Sequence, residues 1–288
     1  MSRRELARHP DFGRVSPELG ALDEAAFDDL MADDPDEALG LLAQMTRATD
    51  AALREFARRL AGRLVLDVAR RGPARPRGVG RIAVARYQPD AGDIDVDAST
   101  EALVEATAAG AAVDPERLRV RRWVQPRTAI CLLVDRSGSM SGRPLATSAV
   151  AAAAVGFRAP DDFSVVSFAR DAVVVKGQDS IVPTDVVVDG VLALRGHGTT
   201  DLAAALRAAG VQLGRSSAGR KITVLLSDCR ATEPGDATAA AAALDELAII
   251  APTGDDAEAT ELAHATGASI ATAGGPTEIA DALARVLH

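Results

Sequence analysis

The sequence predicts an α/β protein: a doubly wound, mostly parallel sheet over residues 128–288, preceded by a smaller, mainly helical region over 1–127. Three observations predict it. From Thr128 onward, short apolar runs alternate with helical periodicities. Three of those runs, TAICLLV (128–134), ITVLLS (222–227) and LAIIA (247–251), are almost continuously apolar, as strands covered on both faces are. Before Thr128 the chain is rich in arginine and carries one long amphipathic periodicity.

In the first region, Leu42, Met45, Thr49, Leu53, Phe56, Leu60 and Leu64 recur at spacings of three and four. They predict one amphipathic helix of about 25 residues. It ends before Gly72-Pro73, and ARPRGVG (74–80) reads as a turn or linker. RIAVARYQ (81–88) predicts a strand closed by Pro89-Asp90-Ala91-Gly92. GDIDVDAS (92–99) alternates polar and apolar residues, giving a short strand pair, and leads into a helix near 99–109. RLRVRRWVQPR (117–127) reads as a basic connector.

In the second region the expected order begins with a strand at 128–134, a helix at 143–158, the strand FSVVSF (163–168) and the short strand AVVV (172–175). A helix at 184–194 and the Gly-rich turn GHGTT follow, then a helix at 201–213, a strand at 222–227 and a helix at 236–247. A strand at 247–251, a helix at 256–266, the strand ASIATA (268–273) and a helix at 276–287 complete it. Strands alternating with helices make a Rossmann-like sheet, whose functional groups gather at the carboxyl ends of the strands.

Composition narrows the function. The chain has 288 residues, 25% charged and 48% hydrophobic, as a soluble globular protein does. A net charge of −9 gives no basic surface for nucleic acid. One Trp and one Tyr make no stacking platform for bases or sugars. No apolar stretch approaches the roughly 20 residues that cross a bilayer. The opening segment MSRRELARHPDFGR lacks the apolar core of a secretory signal, so the chain is expected in the cytoplasm. Cys131 and Cys229 do not form a disulfide framework, and Cys131, within an apolar run, is expected to be a buried free thiol. Asp23–Glu37 is acidic and Arg54–Arg86 is rich in Arg; they read as two solvated faces of opposite sign, with pairing between them as the alternative. The abundance of Ala, and of Arg over Lys, reads as a coding bias.

Oxygen-bearing side chains collect at three places in the second region. The first strand runs into Asp135-Arg136-Ser137-Gly138-Ser139, a later loop holds Thr199-Thr200-Asp201, and the strand 222–227 ends in Ser227-Asp228-Cys229. The fold brings all three to one edge. Oxygen donors without an obligatory His or thiolate suit Mg²⁺, Mn²⁺ or Ca²⁺ and not Zn²⁺. Ser137 and Ser139 stand two apart, so both hydroxyls can face one ion, and Gly138 lets the backbone bend between them.

VDRSGSM (134–140), GTTDL (198–202) and LLSDCR (225–230) resemble, in order and context, the metal-ion-dependent adhesion site of the von Willebrand factor A family. That resemblance implies metal ligands at Asp135, Ser137, Ser139, Thr200 and Asp228, some acting through water, with a partner protein's carboxylate completing the shell. Thr200 is preferred to Thr199 because it directly precedes Asp201-Leu202. Where the family often has Gly after the last Asp, this chain has Cys229, which is uncomfortable if that position needs positive φ. RRWVQPRTAICLLVDRSGSM (121–140), with GDIDVDASTEALVEA before it, also resembles bacterial intracellular proteins of the CoxE and chelatase D-subunit type. Those work with AAA+ ATPases of the MoxR or chelatase kind, which implies such a partner and no catalysis. The alternative is a haloacid-dehalogenase-type phosphatase with Asp135 as nucleophile and Ser227 beside it, but Ser137 stands where that family has its second acid. No Walker A motif or G-x-G-x-x-G follows a strand, and His9, His197, His264 and His288 are dispersed.

Overall fold

The computed structural model describes residues 1–71, 81–87, 93–124, 127–137, 142–196 and 198–287. Two compact units form: residues Met1–Pro76 and Thr128–His288 make one, and Arg77–Arg127, ending at the 127/128 boundary, make the other.

The first unit opens with α1 (Arg3–Leu6), α2 (Phe12–Val15), α3 (Glu24–Asp33), α4 (Pro35–Met45) and α5 (Ala51–Arg70). The single long helix expected from the leucine periodicity is therefore two helices. Asp50 interrupts it, because its carboxylate accepts from the amides of Ala52 and Leu53 and starts α5 afresh. Asp34 starts α4 in the same way, with Pro35 at the first helical position.

The second unit contains β1 (Arg81–Arg86), β2 (Asp93–Ile94), α6 (Val96–Ala109) and β3 (Arg119–Val124). Its antiparallel sheet has the order β1-β3-β2. The supposed basic connector 117–127 thus supplies the central strand. Val120 is fully buried, while on the other face Arg121 reaches the Asp95 carboxylate at 2.9 Å, an alternation of period two that the density of arginines conceals. The linker at 74–80 lies outside the described residues.

The first unit resumes with β4 (Thr128–Asp135), α7 (Arg143–Arg158), β5 (Phe163–Phe168), β6 (Ala172–Lys176), α8 (Thr184–Leu192) and α9 (Leu202–Leu213). It closes with β7 (Arg220–Leu226), α10 (Ala237–Ala242), β8 (Glu246–Pro252), α11 (Ala257–Thr266), β9 (Ser269–Ala273) and α12 (Ile279–Val286). The sheet order is β6-β5-β4-β7-β8-β9, parallel throughout except for the edge strand β6. This is the doubly wound α/β sheet the sequence predicts. Leu132, Leu133 and Val134 of β4 are fully buried, each worth about 1.5–3 kcal/mol relative to exposure. Cys131 is a fully buried free thiol, and burial pushes its pKa up to about 12.

The helices divide between two faces. On one face, α9 and α10 pack over Cys131, Leu133 and Val166. On the other, α7 lies over Leu132 and Val134 and is itself covered by α4, α5, α8 and α12. Every residue from Ser148 to Gly156 of α7 is buried, five of them alanines. The alanine content is thus not only a coding bias: here it lets a helix be surrounded. Nor does the acidic segment Asp23–Glu37 simply face solvent or pair with Arg54–Arg86. Arg14 bonds Asp29, and Arg143 bonds Asp34 and Glu37.

Because α4 shares its core with α7, Leu42→Ala should destabilise the protein by about 2–5 kcal/mol in urea unfolding followed by circular dichroism. Hydrogen exchange in β4 should accelerate with it. Unchanged protection in β4 would mean that the N-terminal helices form a separate core.

Candidate functional site

Val134 of β4 is level with Leu226 of β7, so Asp135 and Ser227 leave the sheet side by side. The Ser227 hydroxyl donates to Asp135 Oδ2 at 2.6 Å, and the Ser137 amide donates to Asp135 Oδ1 at 2.8 Å. The adjoining strand β5 holds the same turn, since the Arg136 amide donates to the Phe168 carbonyl at 2.7 Å. Asp135 and Ser137 are half-buried and Ser227 is buried.

The turn after β7 is equally constrained. The Cys229 amide donates to Ser227 Oγ at 2.9 Å, and the Arg230 amide to Asp228 Oδ1 at 3.0 Å. These bonds place Cys229 at φ 65°, the only positive φ of a non-glycine residue among those described. The position where Gly was expected does adopt the left-handed conformation, and Cys229 occupies it under strain. Burial, then the Asp228, Asp135 and Glu258 carboxylates, push its thiol up to about 12. A thiol raised in this way is a poor nucleophile and a poor soft-metal ligand.

Thr200 arrives from the loop between α8 and α9. Its amide donates to Thr232 Oγ1 at 2.7 Å, and its carbonyl accepts from the amides of Thr232 and Glu233, both at 3.1 Å. The next amide, of Asp201, donates to the Ala169 carbonyl just beyond β5, and the Asp201 carboxylate caps α9 through Ala204. The loop is thus fastened to the carboxyl ends of two strands. Thr200 is buried, whereas Thr199 is exposed and its hydroxyl donates to Glu233 Oε1 at 2.5 Å.

Asp135, Ser137, Thr200 and Asp228 all belong to this carboxyl edge. Ser139 and His197 lie outside the described residues. Two contributors were not assigned to the site from sequence. Ser227, considered there only for a phosphatase, links Asp135 to the turn carrying Asp228; its place directly after a buried strand was the available signal. Thr232, which fixes Thr200, gave none.

The donor chemistry fits a small hard cation. Among the described residues, no three His, Cys, Asp or Glu side chains gather to hold a metal by themselves. Any ion here needs the hydroxyls of Ser137 and Thr200 with the carboxylates of Asp135 and Asp228, an oxygen set of the kind Mg²⁺ and Mn²⁺ take.

No family model matches the chain, and no curated protein matches it significantly. Solved structures similar to it include a von Willebrand factor type A protein from Catenulispora acidiphila, 17% identical with a TM-score of 0.43, covering 58% of this chain and 42% of that one. Proximal thread matrix protein 1 from the mussel byssus is 16% identical with a TM-score of 0.44, covering 57% and 48%. The manganese-loaded TRAP protein of Plasmodium vivax is 18% identical with a TM-score of 0.43, covering 55% and 72%. The chain spans less than half the length of the first two. Among the described residues no helix is long and apolar enough to cross a membrane.

The strain at Cys229 has a measurable sign. Cys229→Gly and Cys229→Ala both remove the buried sulfur, but only Gly relieves the positive φ. The Gly variant should be the more stable by about 1 kcal/mol, net of its greater unfolded-state entropy. Urea unfolding of the two proteins checks this, and an Ala variant of equal or greater stability would contradict the strain.

Proposed function

We propose that residues 128–288 form a von Willebrand factor A-type domain in which Asp135, Ser137, Ser139, Thr200 and Asp228 bind one divalent cation, Mg²⁺ or else Mn²⁺ or Ca²⁺, and through it a carboxylate of a partner protein. The observation that carries this reading is the Asp135 carboxylate. It stands at the end of a buried strand, tied to the β7 turn by Ser227 at 2.6 Å, among donors that are oxygen alone. The bound cation would supply a Lewis-acidic position open to an incoming acid. The chain's own part is to hold that position: Ser227 and the Ser137 amide orient Asp135, Thr232 orients Thr200, and the Arg230 amide orients Asp228.

The partner in this reading is a MoxR- or chelatase-type AAA+ ATPase, supported by the CoxE-like sequence around Arg121–Met140. The protein acts without catalysis, as an adaptor within the cytoplasm. Nothing in the fold favours the phosphatase alternative. Ser137 occupies the place of that family's second acid.

Calorimetry with Mn²⁺ and with Mg²⁺ should show one site, abolished in Asp135→Ala and Asp228→Ala. Ser137→Ala and Thr200→Ala should each weaken it about ten- to hundredfold with the fold retained, since each loses one bond to a charged centre. Capture of the ATPase should fall in the same order and vanish in EDTA. Capture that persists undiminished in EDTA would place the docking elsewhere.

A further inference from the structure

The exit of the Asp135–Ser139 loop is held from far away in sequence. Arg143 begins α7, one residue beyond Gly142, and α7 has no side-chain cap of its own. The Arg143 guanidinium instead bonds Asp34 Oδ2 at 3.1 Å through Nη2 and Glu37 Oε2 at 2.9 Å through Nε. Asp34 is the cap of α4 and Glu37 lies on its first turn. Asp34 divides its oxygens between two helices, because its Oδ1 accepts from the Glu37 amide at 2.9 Å. Glu37 likewise divides its own, with Oε1 at 2.8 Å from His9 Nε2.

The backbones are close enough for this to act on the loop. A Cβ on Gly40 of α4 would lie 3.0 Å from the Arg143 amide nitrogen, and one on Gly142 would lie 2.9 Å from Gln44 Nε2. Gly142 also has φ 61°. Only glycine at both places allows α4 to seat against the start of α7 while the chain turns in from the loop. Asp36, on the same turn of α4, points to a different element: it accepts from the Thr277 amide at 2.9 Å and from its hydroxyl at 2.8 Å, ahead of α12.

We infer that Arg143 is a positioning residue for the metal loop, and that the Asp34–Glu37 turn of the N-terminal region sets the cation affinity of the site by fixing Arg143. This rests on the metal-site reading above. None of the three residues is a proposed ligand. Their effect is to fix the chain where it re-enters the fold at Gly142 and Arg143, so that less conformational freedom is lost there when the ion binds. An isolated ion pair at this exposure would contribute little, but one guanidinium shared by two carboxylates, one of them a helix cap, is a network. The N-terminal helices therefore regulate the site: anything that draws α4 away, including a partner that binds the acids of its first turn, lowers the affinity for metal.

The test uses the full chain. The double variant Asp34→Asn/Glu37→Gln keeps shape and removes charge, and should bind Mn²⁺ about three- to tenfold more weakly by calorimetry, equivalent to roughly 0.7–1.4 kcal/mol. In the metal-free protein, amide hydrogen exchange in the peptide 135–145 should quicken in the same variant. Arg143→Ala should reproduce both effects. Arg143→Lys should fall between it and the wild type, since an ammonium cannot serve two carboxylates in the guanidinium's fixed geometry. Asp36→Asn removes a charge from the same turn and weakens the Thr277 contact without touching Arg143, and should leave Mn²⁺ affinity unchanged. Should Arg143→Ala fail to fold, the shape-preserving double variant decides the matter. Wild-type affinity and exchange in that double variant would overturn the inference, as would an equal loss in Asp36→Asn, which would reveal general loosening. A wild-type protein that binds no Mn²⁺ would overturn the metal reading and this one together, whereas binding that ignores all the α4 variants overturns this one alone.

Discussion

Helix α7 is buried around its whole circumference, and its neighbours are placed by what that requires. The sheet packs against it on one side, and α4, α5, α8 and α12 all pack against it as well. A helix enclosed on all sides cannot carry large side chains all round, because interaxial distance grows with the residues at the contact. From Ala151 to Ala154 four consecutive alanines meet the condition, and Gly156 meets it where α8 comes closest, a Cβ there lying 2.9 Å from Thr184. The first residue of this helix is Arg143, so the body that organises the core is also the body from which the candidate metal loop emerges.

The strands were the most legible part of the fold. Continuous apolar runs such as TAICLLV need cover on both faces, and each became a central strand of the parallel sheet. Two local signals were overruled. A leucine periodicity crossed Asp50 without a break, yet the Asp50 carboxylate caps the amides of Ala52 and Leu53 and begins a new helix there. The arginines of 117–127 hid a period of two whose apolar member, Val120, is buried. What could not be read at all was the association of residues 1–76 with 128–288. It depends on side chains that look unremarkable alone: glycines at 40 and 142, the small face of α7, and carboxylates whose partners lie about a hundred positions on.

The site shows a similar division. Asp135, Thr200 and Asp228 each follow or adjoin a strand terminus, so pattern and topology together indicated their edge of the sheet. The hydrogen bonds that fix them come from residues with no motif value, Ser227 and Thr232. Ser227 accepts from the Cys229 amide and donates to Asp135, so the two acid-bearing turns form one hydrogen-bonded piece. Arg230 closes the rim by pairing with Asp255 and Glu258, which leaves its charge committed to its own chain beside Asp228. Strain at Cys229 is concentrated at that junction, where the surrounding bonds over-determine the backbone.

Residues 77–127 interrupt in sequence the unit formed by the segments on either side, and within them Arg81 pairs with Val124. This has a consequence for biosynthesis. The ribosome delivers α4 and α5 with their apolar stripes complete, but α7, which covers them, begins some seventy residues after α5 ends. At about 5–20 residues per second the stripes wait several seconds without their partner. During that interval the inserted unit already has its own strand partners, and the pairing of β1 with β3 sets Arg81 opposite Val124. A paired insert shortens the open chain between the N-terminal helices and α7, and the entropy cost of closing a loop falls with its length.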